Sequence, residues 1–459
     1  MVPAITAGAL SLQATASIRI PTPEIEKLPN GLTLVWFPDD ALPVVDFALM
    51  VDAGNRDDAP GKSGSSELLA AVLDRGAGGL SAQEIALRVD SLGATRSIAA
   101  GEESFSIGMH GLAPDGPVLL DLLSKIALHP DFPADEVARE QRRMLDRWNH
   151  IGDYAESLAL VALSRLVSAG TPYGRGSLAG AAELKKLKRA DVIDYHSRYF
   201  IPERSVLMIV GRVERTKLRT QIGDLFGAWK GKAAPRVKRD YSDPRLKGIQ
   251  PGEIVVIDRP KLSQAQVRIG GVGPLIQVPE RYALSVGNAL LGEYFGSRLN
   301  SVLRDQMGLT YSIGSSFSFA RDLGRFEIAS STRNDAVGIL VKRSLEVLRG
   351  LDHGPVGDEE TLQAKEYLAG GFPLSVSTLS SIASRWLGGY LLNLPADDLN
   401  RFVPGVQAVL PSQVLAAFRK YVKPEKMFIV VAGDGDAIVK SLKAAGYSRI
   451  RRLQVKELL

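Results

Sequence analysis

The sequence predicts an α+β fold written twice. Two homologous domains, each a mostly antiparallel sheet with helices on one face, would face each other as half of a clamshell. Three observations carry this. Strand-like segments come in adjacent pairs with helical segments clustered between the pairs, as in antiparallel sheets covered by helices. The same order of segments occurs again in the second half of the chain. A Pro-, Gly- and Lys/Arg-rich stretch without hydrophobic period separates the copies.

The repeat is visible residue by residue. RYFIPERSVLMIVGRV, from Arg198, resembles KYVKPEKMFIVVAGDG, from Lys420. Tyr199 matches Tyr421, Pro202 matches Pro424, Glu203 matches Glu425 and Gly211 matches Gly433, all at one offset, 421 − 199 = 222. Val192 and Val414 keep that offset upstream. Each copy reads as a helix, a proline-marked turn and a buried strand ending in glycine. The fronts agree as well. GLTLVWF and VVDFALMVDAG read as strands before a helix over GSSELLAAVLD; EIVVID and AQVRIGGVG read as strands before a helix over RYALSVGNALLGEYF. A period of this length marks duplication of a whole domain rather than a solenoid. The predicted division is 1–229 for the first domain, 230–253 for a linker and 254–459 for the second. The basic run in that linker reads as a solvated connection.

Composition narrows the function. Of 459 residues, 45% are hydrophobic and 23% charged, which suits a globular chain and argues against disorder or a fibre. The net charge of +5 is spread too thinly to predict nucleic-acid binding. The absence of cysteine excludes disulfides, thiolate metal sites and cysteine nucleophiles. No apolar run reaches the roughly 18 residues that span a bilayer. Residues 1–16, MVPAITAGALSLQATA, are small and apolar but carry no Lys or Arg, so they are not an intact signal peptide. The start of a mature periplasmic chain and a loose cytoplasmic N-terminus both stay open, the periplasm being the expectation adopted.

Several segments together resemble one family. NGLTLVWF, VDAGNRDDAPGKSG, PDFPADEVAREQRRMLDRW, TPYGRGSLAG, HSRYFIPERSVLMIVG and LRDQMGLTYSIGSSFSF follow, in order, the pattern of the pitrilysin/insulinase/mitochondrial processing peptidase family. The resemblance runs over nearly the whole chain. It implies a zinc peptidase whose first helix bears H-x-x-E-H, two histidine ligands one turn apart with a glutamate that activates the metal-bound water. A glutamate on a later helix would be the third ligand.

Here the pattern departs. Aligned on the glycines, Glu67 stands at the first histidine position, Ala70 at the glutamate and Ala71 at the second histidine. On the later helix Glu140 fits the first of two family glutamates seven apart, and the ligand position falls on Arg147. Alanine has no lone pair to give, and carboxylate without imidazole makes a poor zinc site. The five histidines, His110, His129, His150, His196 and His353, are never closer than 19 positions. No metal ligand is therefore assigned in this chain.

Another family element is kept. SRLNSVLRDQMGLTYSIGSSF reads as a helix ending near Gly308 and a strand from Thr310, with Arg304 and Tyr311 seven apart across the junction. The resemblance implies that this pair holds substrate backbone and the carbonyl under attack. A fixed multi-donor cation and a rigid hydroxyl donor suit that task. Taken without the resemblance, Arg304 reads as an exposed helix-end residue and Tyr311 as a sheet residue. Arg298 reads as an ion-pair or packing residue, and Trp36 and Trp148 as core or interface. Lys185, Lys186, Lys188, Arg189, Arg449, Arg451 and Arg452 read as solvated faces. Some family members divide the work between two chains, and the resemblance implies that this is the zinc-less one. It would need no cofactor itself, with zinc in a homologous partner subunit and extended peptides as substrates. A structural subunit like the core proteins of a respiratory complex, or a stand-alone peptide-binding protein, are the alternatives.

Overall fold

A computed structural model describes residues 20–39, 41–174, 180–233, 235 and 241–459. Residues 1–16, most of the GRGSLA segment and part of the 230–253 stretch lie outside the described residues.

The first half supplies β1 (Glu24–Lys27), β2 (Thr33–Pro38), β3 (Val44–Val51), helix α1 (Ser65–Val72), β4 (Thr95–Ala100), β5 (Phe105–Leu112), α2 (Ala134–Ile151), α3 (Ala155–Val167), α4 (Arg189–Tyr199) and β6 (Ser205–Gly211), among shorter elements. Its sheet has the order β1-β2-β6-β3-β5-β4. The alternation of Val45, Phe47, Leu49 and Val51 toward the core is what makes β3 a central strand. Only β2 and β6 pair in parallel.

The second half supplies β7 (Ile254–Asp258), β8 (Gln264–Gly273), α5 (Arg281–Asn288), β9 (Ile313–Phe319), β10 (Gly324–Arg333), α6 (Asp358–Ser375), α7 (Leu379–Leu391), α8 (Pro411–Tyr421), β11 (Phe428–Gly433) and β12 (Ile450–Gln454). Its sheet runs β9-β10-β8-β11-β7-β12. Read backwards, this is the first order again, so β6 and β11 are equivalent, as are α4 and α8. Their ends, Tyr199 and Tyr421, keep the offset of 222. The predicted architecture of two α+β halves is what the chain adopts.

Each sheet is closed on its second face by a helix of the other half. From the first half, α3 lays Leu158, Ala162, Leu163 and Leu166 on Val255, Ile257, Val430 and Ala432 of the second sheet. From the second half, α7 lays Ile382, Ala383, Trp386 and Leu387 on Val35, Phe37, Met208 and Val210 of the first. Burying these stripes contributes about 1.5–3 kcal/mol per large side chain. The exchange joins the halves far more firmly than a linker would. The stretch between them is itself anchored: Leu246 and Ile249 are buried beside α3, and Tyr241 donates to the Asp58 carbonyl at 3.2 Å.

Three local expectations need correction. The RYALSVGNALLGEYF helix is α-helical only to Asn288 and widens into a π-turn over Ala289–Glu293. There Ser315 of β9 donates to Asn288 Oδ1 at 2.9 Å, and a side chain at Gly292 would strike Ser315. The strand expected from Thr310 begins at Ile313, because Thr310 turns its hydroxyl onto the Ser312 carbonyl (2.8 Å). Arg451 and Arg452 are not merely solvated. They pair with Glu253 (2.9 Å) and Asp258 (2.7 Å) and tie β12 to β7.

Candidate functional site

The loop before α1 sets the site. Gly64 adopts φ +92°, a left-handed turn that glycine permits, and starts the helix. Buried Asp58 accepts from the amides of Gly64 (2.7 Å) and Ser66 (3.0 Å), so the first turn of α1 has its donors satisfied by a carboxylate. Ser66 Oγ donates to Asn55 Oδ1 at 2.9 Å, and the Tyr195 hydroxyl donates to the Gly54 carbonyl at 2.9 Å. Held this way, α1 turns Glu67, Ala70 and Ala71 into a pocket of about 650 Å³. Its other walls are the β4 edge with the turn after it, through Ile98 to Glu102, and α2 through Met144, Arg147 and Trp148. The spacing of Met144, Arg147 and Trp148 puts all three on one face of α2.

All four degenerate positions meet here. Burial, reinforced by the Asp58 carboxylate, pushes the Glu67 carboxyl up to about 7, and the Arg147 cation draws it back only in part. Among the described residues Arg147 makes no hydrogen bond and no ion pair. Glu140 does not line the pocket. It is buried against Arg143 (2.9 Å), Arg75 (3.4 Å) and Arg139 (3.8 Å), a structural ion cluster. Zinc does not fit these residues. Two methyl groups, one carboxyl that holds its proton near neutrality and one guanidinium give a metal neither lone pairs nor compensating charge.

Three of the histidines pair elsewhere. His110 Nδ1 meets Asp46 at 2.6 Å, His150 meets Asp153 at 3.3 Å, and His196 sits buried against the Ala127 carbonyl at 2.8 Å with its pKa lowered by burial. Among the described residues no three His, Cys, Asp or Glu side chains gather as a metal site would require.

Arg304 and Tyr311 sit on the helix-to-strand junction of the second half. The last turn, Asn300–Gln306, is closed by Gly308 at φ +59°, whose amide donates to the Arg304 carbonyl at 3.1 Å while Leu309 N donates to Leu303 O at 2.9 Å. The Arg304 guanidinium lies 3.2 Å from the Phe295 ring centroid, donates to the Phe295 carbonyl (3.2 Å) and pairs with Asp305 (2.7 Å). Tyr311 is 92% exposed, and among the described residues its hydroxyl makes no hydrogen bond. Thr310, beside it, is fixed by Ser330 Oγ at 3.0 Å. No hydrogen bond or ion pair joins Arg304 to Tyr311, or either of them to the pocket on α1. Arg298 pairs with Glu360 (2.8 Å), as its position suggested.

A profile of the insulinase family, peptidase family M16, matches residues 36–179. A second, described as the peptidase M16 inactive domain, matches residues 186–368. This chain belongs to peptidase family M16. An uncharacterized zinc protease of Mycobacterium tuberculosis is 28% identical over 375 residues, 81% of this chain and 84% of that protein. The uncharacterized zinc protease YmxG of Bacillus subtilis is 24% identical over 409 residues, 89% and 97% of the two chains. The crystal structure of a peptidase M16 inactive domain from Pseudomonas fluorescens matches with a TM-score of 0.81 at 26% identity, over 90% of this chain and 98% of that one. A Helicobacter pylori protease matches at 0.80 with 19% identity, over 90% and 100%, a likeness of fold alone.

Within this M16 frame, sequence reasoning missed an ionic junction between the halves. Arg325 of β10 holds Glu102 through two bonds of 2.9 and 3.0 Å. The Arg321 amide donates to Glu103 (2.8 Å), and its guanidinium reaches Asp52 at 3.1 Å. Glu103 also accepts from the Tyr173 hydroxyl (2.7 Å) and from buried Arg56. The only signal in the sequence was the density of paired charges in GNRDD, GEES and ARDLGR, which names the residues but not their partners. Among the described residues no helix is long and apolar enough to cross a membrane.

Proposed function

We propose that this chain is the zinc-less accessory subunit of a heterodimeric M16 peptidase. The partner is a homologous chain bearing H-x-x-E-H and the metal, and the substrates are extended peptides. Arg304 and Tyr311 serve as donors to the peptide backbone and to the carbonyl under attack, in a site shared by both chains.

Tyr311 carries the reading. Its side chain is presented outward, its hydroxyl without a partner among the described residues, from a turn pinned by Thr310. Meanwhile the positions where the family carries its metal ligands hold Glu67, Ala71 and Arg147 in this chain. An outward donor of this kind has a use where another chain brings the metal. To reach a carbonyl, Arg304 would exchange its contacts with Asp305 and with the Phe295 ring and carbonyl for the substrate. Donors aimed at a developing oxyanion are worth about 100- to 1,000-fold in rate.

The test is co-expression with an M16 chain that carries H-x-x-E-H. The purified pair should cleave unstructured peptides, and this chain alone should not. Arg304→Ala and Tyr311→Phe should each lower kcat at least about 10-fold while the pair still co-elutes. If both variants leave turnover unchanged, the chain acts as a scaffold and the donor role is wrong.

A further inference from the structure

Arg304 and Tyr311 stand on the two sides of a helix-to-strand junction and, among the described residues, make no bond to each other. Their separation is set by the backbone between them and by whatever ties its two ends. One buried side chain does this. Asn300 is 6% exposed and opens the turn that carries Arg304. Its Nδ2 donates to the Ile313 carbonyl and to Ser297 Oγ, both at 3.0 Å, and to the Tyr294 carbonyl at 3.3 Å. Two N–H bonds are thus shared among three oxygens from two other segments. A buried amide loses its water, and bonds of this kind offset that loss.

The Ile313 bond links the two donors. Asn300 belongs to the same turn as Arg304, and Ile313 starts β9 two residues after Tyr311. On its other side Tyr311 follows Thr310, which is held by Ser312 and Ser330. The remaining contacts of Asn300 anchor the turn on which Arg304 rests. That turn is closed by Ser297 N donating to the Tyr294 carbonyl at 3.0 Å. It carries Phe295, whose carbonyl accepts from Arg304. The Tyr294 ring stacks on Tyr367 of α6 with centroids 5.1 Å apart, so the turn is backed by a long helix.

We infer that Asn300 is a positioning residue of the shared site: its amide fixes the backbones of Arg304 and Tyr311 against each other, so that both side chains reach the same carbonyl. It touches no reacting atom. The inference rests on the reading that Arg304 and Tyr311 are donors, and adds what sets their separation. Donors serve one oxygen only when held within about 0.5 Å of their working places. A helix end frays unless something holds it. Here the last helical turn before the junction is held by Asn300.

The test is a mutant cycle in the paired enzyme, with the H-x-x-E-H chain and an unstructured peptide. Asn300→Leu is close in size and removes the donors. It should lower kcat about 10-fold and leave KM within about 2-fold, the pattern of an interaction lost in the transition state. Asn300→Ser, too short to span the three oxygens, should lower kcat in the same way and replaces the leucine variant if that one does not fold. A thermal melt shows that each pair is assayed folded. In the Tyr311→Phe background Asn300→Leu should slow turnover by less than about 2-fold, whereas independent losses of about 10-fold each would multiply to about 100-fold. A merely structural amide would give that product. An unchanged kcat, a change confined to KM, or a multiplied loss would overturn the inference. If Arg304→Ala and Tyr311→Phe themselves leave turnover unchanged, the shared-site reading falls, and the role of Asn300 falls with it.

Discussion

Replacing Glu67 by Gln removes a carboxyl whose proton the folded chain holds more tightly than the unfolded chain does. The folded value is about 7 against 4.5 when unperturbed. Below pH 4.5 the group is neutral in both states and costs nothing. Between 4.5 and 7 it ionises first in the unfolded chain, so stability falls as pH rises. Above 7 the whole penalty is in place. A shift of this size at about 1.4 kcal/mol per unit corresponds to about 3 kcal/mol. Gln keeps the shape and cannot ionise. The stability of the Glu67→Gln variant relative to the parent should therefore rise by about 3 kcal/mol between pH 4 and pH 8. Urea denaturation of both proteins at half-unit pH steps measures that difference directly. The constant offset from the amide cancels, because only the slope with pH is read. A difference flat to within about 0.5 kcal/mol across the range would mean that Glu67 is not held in the buried, carboxylate-flanked setting described.

Other perturbations test other parts of the account. Arg325→Ala strips Glu102 of its two-bond partner and should cost about 1–3 kcal/mol, read as a lower denaturation midpoint with an unchanged far-ultraviolet spectrum. Trp386→Ala empties the place where α7 packs on Phe37 of the first sheet and should cost about 3–5 kcal/mol, with faster proteolysis between the halves. The joint replacement Glu67→His, Ala70→Glu, Ala71→His and Arg147→Glu restores ligands at helical spacing. It should give close to one zinc per chain by elemental analysis, whereas no uptake would show that α1 and α2 do not converge on one point.

What was legible in the sequence follows from what a sequence encodes locally. The duplication could be read because turn prolines and strand-ending glycines are punctuation, and Tyr199/Tyr421 and Gly211/Gly433 kept one spacing. That Glu67, Ala70 and Ala71 share one face of α1 could be read because residues three and four apart lie one above the other on a helix. The exchange of α3 and α7 could not. An apolar stripe announces that a helix face is buried, and Leu158-Ala162-Leu166 would suit either sheet. The clasp of Glu102 by Arg325 was equally hidden, since two charges 223 positions apart carry no periodicity that joins them. Thr310 read as the first residue of a strand, but its hydroxyl found a local carbonyl first. That short turn is what leaves Tyr311 facing outward, a feature that only the fold could reveal.

The central claim is that this M16 chain has kept the pocket and abandoned the metal. Elemental analysis of the full chain, purified alone without chelator from zinc-supplemented medium, tests it most directly. The account predicts zinc well below a tenth of an equivalent, about what a protein surface retains adventitiously. A value near one zinc per chain would contradict it.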